Sequence, residues 1–227
     1  MSKYLAVIPA RGGSKRLPRK NVLNICEKPL IAWSIEASLN SNLIDKTLVT
    51  SDDEEILDIS KKYGAETIKR PHDISNDTAT TYEAIEHAIN ALEIKYDYIV
   101  LLQPTSPLRG SKHIDEAIKL LEEKNADAIV SVCEVEHPVQ WSMTLKNDND
   151  MSEFVKNIDS RRSQEQEKHY RLNGAIYICK TDKLVESKSF FLKDNIFAYI
   201  MNKEDSIDID EELDFKLASL ILSSRKD

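Results

Sequence analysis

"YLAVIPARGGSKRLPRKN", residues 4–21, sets the frame for the rest of the chain. Its first seven residues are a short, nearly continuous apolar run, the pattern of a central strand buried on both faces, with Pro9 acceptable at the end. Two glycines follow at once, and five of the ten residues from 11 to 20 are basic: Arg11, Lys15, Arg16, Arg19 and Lys20. The whole chain nevertheless carries a formal charge of −8. So much cation at one strand end, in an acidic molecule, calls for an anionic ligand. Gly12 and Gly13 permit a sharp turn with backbone amides facing that ligand, and with Lys and Arg around them they suit a polyphosphate. The alternative is a solvated turn whose lysines touch nothing; two glycines and five cations beyond a buried strand weigh against it. The loop matches neither GxxxxGK[ST] nor GxGxxG, so it is not the NTPase phosphate loop or the dinucleotide fingerprint.

Outward from this loop, strands and helices alternate. "PLIAWSIEASLN" (29–40) reads as a helix with Pro29 near its first turn, and "KTLVTSD" (46–52) as a strand. "DEEILDISKKYG" places Ile56, Ile59 and Tyr63 at helical spacing and stops at Gly64, with a short strand near Glu66–Ile68. A helix over 78–94, a strongly apolar strand "YDYIVLLQ" (96–103), an amphipathic helix over 113–124 and a strand over 127–135 complete the run. This alternation predicts an α/β fold: a Rossmann-like, mostly parallel sheet flanked by helices on both faces. Ligands of such sheets bind beyond the carboxyl ends of the strands, where the basic loop lies. From about 137 to 172 the pattern breaks into a polar, weakly periodic stretch, too long for an ordinary loop. Its apolar Trp141, Met143, Leu145 and Phe154 predict an arm that packs on something else. Strands at 173–179 and 196–201, a short helix "DKLVES" and an amphipathic helix over 210–224 close a single domain spanning 1–227.

Composition narrows the function classes. At 227 residues and 41% hydrophobic, the chain can bury a sizeable core. Its net acidity, with no basic stripe beyond the first loop, argues against nucleic acid as a partner. Three widely spaced cysteines, Cys26, Cys133 and Cys179, show no metal-ligand spacing and read as buried free thiols of a reducing compartment. No signal-peptide core and no long apolar run are present, so a cytoplasmic protein with no membrane partner is expected.

Three further stretches carry chemistry. In "SIDIDEELDF" (206–215), Asp208 and Asp210 alternate with Ile207 and Ile209, so an extended segment points both carboxylates to one side. Two carboxylates are what a hydrated Mg²⁺ takes from protein when phosphate oxygens complete its shell. Asp210 could equally cap the final helix, a reading that leaves Asp208 unexplained. In "LLQPTSPLRG" (101–110), Gln103 falls at a strand end, where an amide can meet a substrate or where two prolines merely build scaffold. Arg161, Arg162 and Arg171 in the broken segment are a solvated charge run, or carboxylate partners if the segment reaches a site. The five histidines show no metal or nucleophile spacing; displacement at phosphorus needs no protein nucleophile, only positioning and charge neutralisation.

Taken together, "IPARGGSKRLPRKN", "LLQPTSPLR", "NGAIYI" and "DSIDIDEELDF", in this order, strongly resemble the bacterial N-acylneuraminate cytidylyltransferases, the CMP-sialic acid synthetases. The likeness covers essentially the whole chain apart from 137–170. It implies that CTP and a nine-carbon 2-keto sugar acid, most simply N-acetylneuraminic acid, give a CMP-sugar and pyrophosphate with Mg²⁺. Arg11, Lys15 and Lys20 would hold the triphosphate and the leaving pyrophosphate, beside Gly12, Gly13 and Ser14. Asn21, Arg70 and Thr81 would contact ribose and cytosine, and Gln103 the sugar. Asp208 and Asp210 would bind the metal, Asp210 also serving catalysis. The resemblance implies a homodimer in which the 137–172 arm reaches over the partner's site, with Arg162 and Arg171 toward the sugar carboxylate. The spacing from Arg162 to Arg171 is one residue longer than the family pattern, and no basic residue follows "EHP". Rival readings are a CMP-legionaminic acid synthetase, a related enzyme for pseudaminic acid or Kdo, and a CTP-binding regulator without catalysis.

Overall fold

In a computed structural model of the chain, residues 2–76, 78–145, 147–157 and 167–225 are described. Strand β1 (Tyr4–Pro9) lies inside a seven-stranded sheet. Tyr4, Ala6 and Ile8 belong to the core on one face, Leu5 and Val7 to the core on the other, so the apolar run needs no polar alternation. A small hairpin follows, β2 (Asn24–Ile25) and β3 (Lys28–Pro29), then helix α1 (Leu30–Leu39) and strand β4 (Lys46–Ser51). Helix α2 (Glu54–Lys62) starts where the Asp53 carboxylate accepts from the Ile56 amide at 3.1 Å and ends at Gly64, whose φ of +91° suits glycine. Strand β5 (Glu66–Lys69) and helix α3 (Thr81–Asn90) come next, α3 opened by a capping box of Thr80 and Glu83. Strand β6 (Tyr98–Leu102), helix α4 (Ser111–Lys124) and strand β7 (Ala128–Glu134) precede the irregular stretch, which holds the short helix α5 (Ser152–Asn157). Strand β8 (Tyr170–Lys180), helix α6 (Thr181–Ser187), strand β9 (Ile196–Met201) and helix α7 (Glu212–Ser224) complete the chain.

The sheet order is β5-β4-β1-β6-β8-β7-β9. All neighbours pair parallel except at β8, which runs antiparallel to β6 and β7. From β1 the chain moves outward through β4 to β5, then returns to place β6 on the other side. That reversal opens a crevice beyond the carboxyl ends of β1 and β6, the switch point at which such sheets bind ligands. One face is covered by α1, α2 and α4 through Ile35, Ile56, Ile114 and Ile118; the other by α3 and α6 through Ile85, Ala88 and Leu184. Each of these isoleucines and the leucine contributes about 1.5–3 kcal/mol by leaving water. A third apolar cluster lies off the sheet and joins Leu17, Ile25, Leu30, Leu108, Ile207, Ile209, Ala218 and Leu222.

The predicted fold class stands, with local differences. The β2–β3 hairpin was not expected, because its turn is made by Cys26 and Glu27 at φ of 49° and 73° with no glycine to mark it. Strand β8 begins at Tyr170 and not at Asn173, because Tyr170, Arg171 and Leu172 pair with Glu134, Cys133 and Val132; the expected arm gives up its last residues to the sheet. Trp141, Met143 and Leu145 are exposed as expected, with Met151 and Val155, while Phe154 is partly buried. Among the described residues none of the three cysteines forms a disulfide, but Cys26 is only partly buried, beside Ser219 and Ser223. Among the described residues no helix is long and apolar enough to cross a membrane.

Candidate active site

The crevice is a cleft of about 570 Å³, within the 300–1,000 Å³ range of small-molecule sites. Segments far apart in sequence meet in it: the loop after β1, the turn after β5, the N-terminus of α3, the end of β6, and the stretch before α7. Of the predicted residues, Arg11, Ser14, Lys15, Lys20, Asn21, Arg70, Thr81, Gln103 and Asp210 line it.

The basic loop does more than present charge. Asn21 is buried and its amide donates to the Arg11 carbonyl at 3.0 Å, tying the two ends of the loop together. Gly12 was expected to turn sharply and offer its amide to a ligand. Its amide donates instead to Asp52 at 3.1 Å, and its φ is not positive; it is small because a Cβ would lie 2.6 Å from Asp53 Oδ2. Gly13 has open space around its missing Cβ, so neither crowding nor φ requires glycine there. Arg19, one of the five loop cations, stands in the left-handed region at φ 59° and turns away to Asp53 and Glu55, so it anchors the loop to α2. The hydrogen bond from Arg19 holds the Asp53 carboxyl below the usual carboxylate range, with burial opposing.

Across the cleft, the two carboxylates have different surroundings. Asp210 Oδ2 receives Arg16 at 3.0 Å and Oδ1 receives Lys20 at 3.3 Å, contacts that span 194 and 190 residues of sequence. Lys20 also donates to the Ile209 carbonyl. Asp210 does not cap α7: the Asp214 carboxylate accepts from the Asp210 and Glu211 amides at 3.0 and 2.8 Å, which leaves the Asp210 side chain to the cleft. Asp208 sits deeper. Burial pushes its carboxyl up, a hydrogen bond from Thr105 opposes this, and Asp210 adds repulsion. Asp208 Oδ1 is buried and, among the described residues, has no hydrogen-bond partner. The isoleucines between and beside them, Ile207 and Ile209, point into the third apolar cluster, as the alternation predicted.

This arrangement depends on residues to which the residue-by-residue reading gave no role. Between Val130 and Val132 of β7 the partner on β8 jumps from Tyr177 to Leu172, so β8 bulges at 173–176. Asn173 fills the bulge: its Oδ1 accepts from Ser131 at 2.6 Å and from the Ala175 amide at 3.2 Å, and its Nδ2 donates to Ser206 at 2.9 Å. Ser206 lies two residues before Asp208, so Asn173 sets where that carboxylate enters. Gly174, at φ +74°, brings its backbone against Gln103 and Asp208; a Cβ would meet Gln103 Oε1 at 3.0 Å and Asp208 Oδ2 at 3.4 Å. The only trace in the sequence was the "NG" pair itself.

On the side of the cleft formed by the turn after β5 and the start of α3, Arg70 is buried, donates to Ser75 at 2.9 Å, and is pushed down chiefly by burial, with Asp52 opposing. Arg11 reaches the Asn76 carbonyl at 3.4 Å. Thr81 opens α3, whose N-terminal dipole faces the cleft. Arg171 lies outside the cleft lining and pairs with Glu136 at 3.3 Å, and Arg162 lies outside the described residues.

A hard divalent cation fits these residues. Asp208 offers an unpartnered buried oxygen and Asp210 stands beside it, an all-oxygen set. Among the described residues no three or more His, Cys, Asp or Glu side chains gather as a complete cage. Mg²⁺ takes one or two carboxylates and completes its shell with phosphates and water.

Comparison with known proteins agrees with this geometry. The family model described as cytidylyltransferase matches residues 5–212. The N-acylneuraminate cytidylyltransferase of Escherichia coli O18:K1:H7 is 40% identical over 97% of this chain, which spans about half (52%) of that relative. A pseudaminic acid cytidylyltransferase of Campylobacter jejuni (strain 81-176) is 34% identical over 96% of both chains. Among solved structures, a CMP:2-keto-3-deoxy-manno-octonic acid synthetase complexed with CTP superposes with a TM-score of 0.75 over 99% of this chain and 100% of its own, at 17% identity, and so shares the fold. A crevice at the strand switch point, lined by a cationic loop and by Asp210 with Asp208 buried behind it, thus sits in a chain that belongs to the cytidylyltransferase family.

Proposed function

We propose that the protein joins CTP to a nine-carbon 2-keto sugar acid, N-acetylneuraminic acid foremost, giving the CMP-sugar and pyrophosphate. The observation that carries this reading is the meeting of Asp210 with Lys20 and Arg16 in a cleft that also holds Arg11, Lys15 and Gln103. Cations that can hold phosphates and a carboxylate that can hold a metal or take a proton line one space, with the Asp208 carboxylate buried behind Asp210.

In this reading the anomeric 2-hydroxyl of the sugar acid attacks the α-phosphorus in line. The new bond is C2–O–P, the α–β phosphoanhydride breaks, and the hydroxyl proton leaves toward the carboxylate side, to Asp210. Arg11, Lys15 and Lys20 take the charge that builds on the departing pyrophosphate, with Ser14 close to the phosphates. Asn21, Arg70 and Thr81 hold the nucleoside end, and Gln103 orients the sugar. Mg²⁺ bound to Asp208 and Asp210 would draw charge off the phosphate oxygens. The exposed apolar residues of the 137–172 arm support a homodimer. Arg171, outside the cleft of its own chain, then serves the sugar carboxylate of the partner's cleft, Arg162 alongside it.

The second reading keeps the chemistry and changes the sugar to pseudaminic or legionaminic acid; the full-length similarity to the pseudaminic acid enzyme favours keeping it. The test is pyrophosphate release from CTP and Mg²⁺ against a panel of nonulosonic acids and Kdo, with UTP replacing CTP in parallel. CTP binding without sugar-dependent release would leave a regulator and overturn the catalytic reading.

A further inference from the structure

Arg109 heads the fully buried side chains by volume, at 1% exposure, and nothing in the proposed reaction uses it. Burial pushes its guanidinium down to about 9, with no acidic neighbour to offset it, so it remains a cation at neutral pH. A buried charge without a counter-charge is a costly thing to keep, and its partners show where it acts. Nη2 donates to Ser34 Oγ at 2.7 Å and to the Gln103 carbonyl at 3.4 Å. Ser34 Oγ in turn donates to the same carbonyl at 3.2 Å. Both interactions therefore converge on one backbone oxygen, at the point where β6 ends and the cleft wall begins. Among the described residues Nε and Nη1 find no partner, so the fork is committed through a single arm.

That backbone oxygen belongs to the residue whose side chain is the sugar contact in the reading above. The Gln103 amide lies over Gly174, where a Cβ would stand 3.0 Å from its Oε1, so the side chain's place depends on the bare backbone of the β8 bulge. A shift of the carbonyl tilts the side chain against the β8 bulge or away from the cleft. The phosphate-holding loop, residues 11–21, has no hydrogen bond to Arg109 or Ser34 among those described. We propose that Arg109 is a positioning residue that, through Ser34 and the Gln103 carbonyl, sets the aim of the Gln103 amide and so tunes binding of the sugar acid and not of the nucleotide. The proposal rests on the cytidylyltransferase reading with Gln103 at the sugar.

The test is steady-state pyrophosphate release by wild type, Arg109→Met, Arg109→Lys and Ser34→Ala, using whichever acid of the panel the wild type turns over. Arg109→Met is expected to raise KM for the sugar acid about tenfold while KM for CTP stays within about twofold. Arg109→Lys, which retains a donor, should give a smaller rise, and Ser34→Ala a rise of about threefold. A merely structural arginine would lower the melting temperature and the active fraction, leaving both KM values alone or moving them together; either result overturns the proposal. If Arg109→Met does not fold, Ser34→Ala decides by the same split. A wild type inactive on every acid removes the substrate reading and this proposal with it, whereas an active wild type without the split removes the proposal alone.

Discussion

The loop after β1 and the interior behind it handle positive charge in opposite ways. Arg16, Arg19 and Lys20 each meet a carboxylate near solvent: Asp210 for the first and last, Asp53 and Glu55 for Arg19. Arg70 and Arg109 are buried and hydrogen-bond hydroxyls and a carbonyl. Exposed pairs of the first kind are worth about 0–1 kcal/mol each, so at Arg16 and Lys20, which line the cleft while Arg19 turns away from it, an arriving anion can take the carboxylate's place at small cost. The buried arginines are built in, and their donors are aimed before any ligand comes. The cleft thus combines exchangeable charge, which grips, with fixed charge, which shapes.

The sharpest way to break this division is to remove a gripping group. Lys15→Ala, or Asp208→Ala on the facing wall, is expected to lower turnover by about 10²–10³ without unfolding, as loss of one electrostatic group at a phosphoryl centre does. Pyrophosphate release from protein of native circular dichroism measures it; near-wild-type turnover ends the assignment.

On the built-in side, Asn173→Leu leaves Ser131, Ser206 and the Ala175 amide without their buried partner. It is expected to destabilise by about 2–4 kcal/mol in urea unfolding. A loss under 0.5 kcal/mol, half the roughly 1 kcal/mol of a single hydrogen bond, would show that the bulge does not depend on it.

Asp208 belongs to the built-in set by burial and to the gripping set by charge, which makes a pH test possible. Its carboxyl is held above the ordinary range, chiefly by burial, so the native state keeps its proton to higher pH than the unfolded chain does. Its contribution to stability is full below the unfolded carboxylate range and is lost as pH rises through the raised native value. Asp208→Asn, which never ionises, is therefore expected to melt a few degrees above wild type at pH 8, with the gap closing toward pH 4. Thermal scans across that range decide, and a wild type melting higher at pH 8 would reverse the sign.

The smallest effect belongs to Arg19. Arg19→Gly loses two exposed pairs but relieves a left-handed backbone, so stability should stay within about 0.5 kcal/mol by urea unfolding. A larger loss would move Arg19 from the exchangeable class to the fixed one.

How much of this was legible in the sequence follows physical lines. Strands buried on both faces announce themselves as apolar runs, and helices with caps and glycine stops announce their ends; the observed elements match within a few residues. The antiparallel sense of β8 was not readable, since an apolar run has no direction, and the bulge was hidden because its cause is a network from three segments. The basic loop and the two aspartates were readable because unlike charges placed far apart need a common reason. That Asp210 leaves the start of α7 to Glu211 and Asp214 was passed over: acids at 210, 211 and 214 around a helix start compete equally on paper. Ser34 and Arg109 looked like ordinary helix and loop residues, and only burial distinguishes them.

The third apolar cluster has one more consequence. Leu17 from the cationic loop, Leu108 from the loop after β6, and Ile207 and Ile209 around Asp208 all belong to it, with α7 as the lid. Three walls of the cleft therefore share one small oil drop separate from the two layers that hold the sheet. Amide exchange in residues 15–25, 105–109 and 206–222 should accelerate together when Leu222 is shortened to alanine, while β1 and β6 keep their protection. The catalytic surroundings would then loosen as a unit in an otherwise intact scaffold, so damage to the last helix is felt as lost turnover well before it is felt as unfolding.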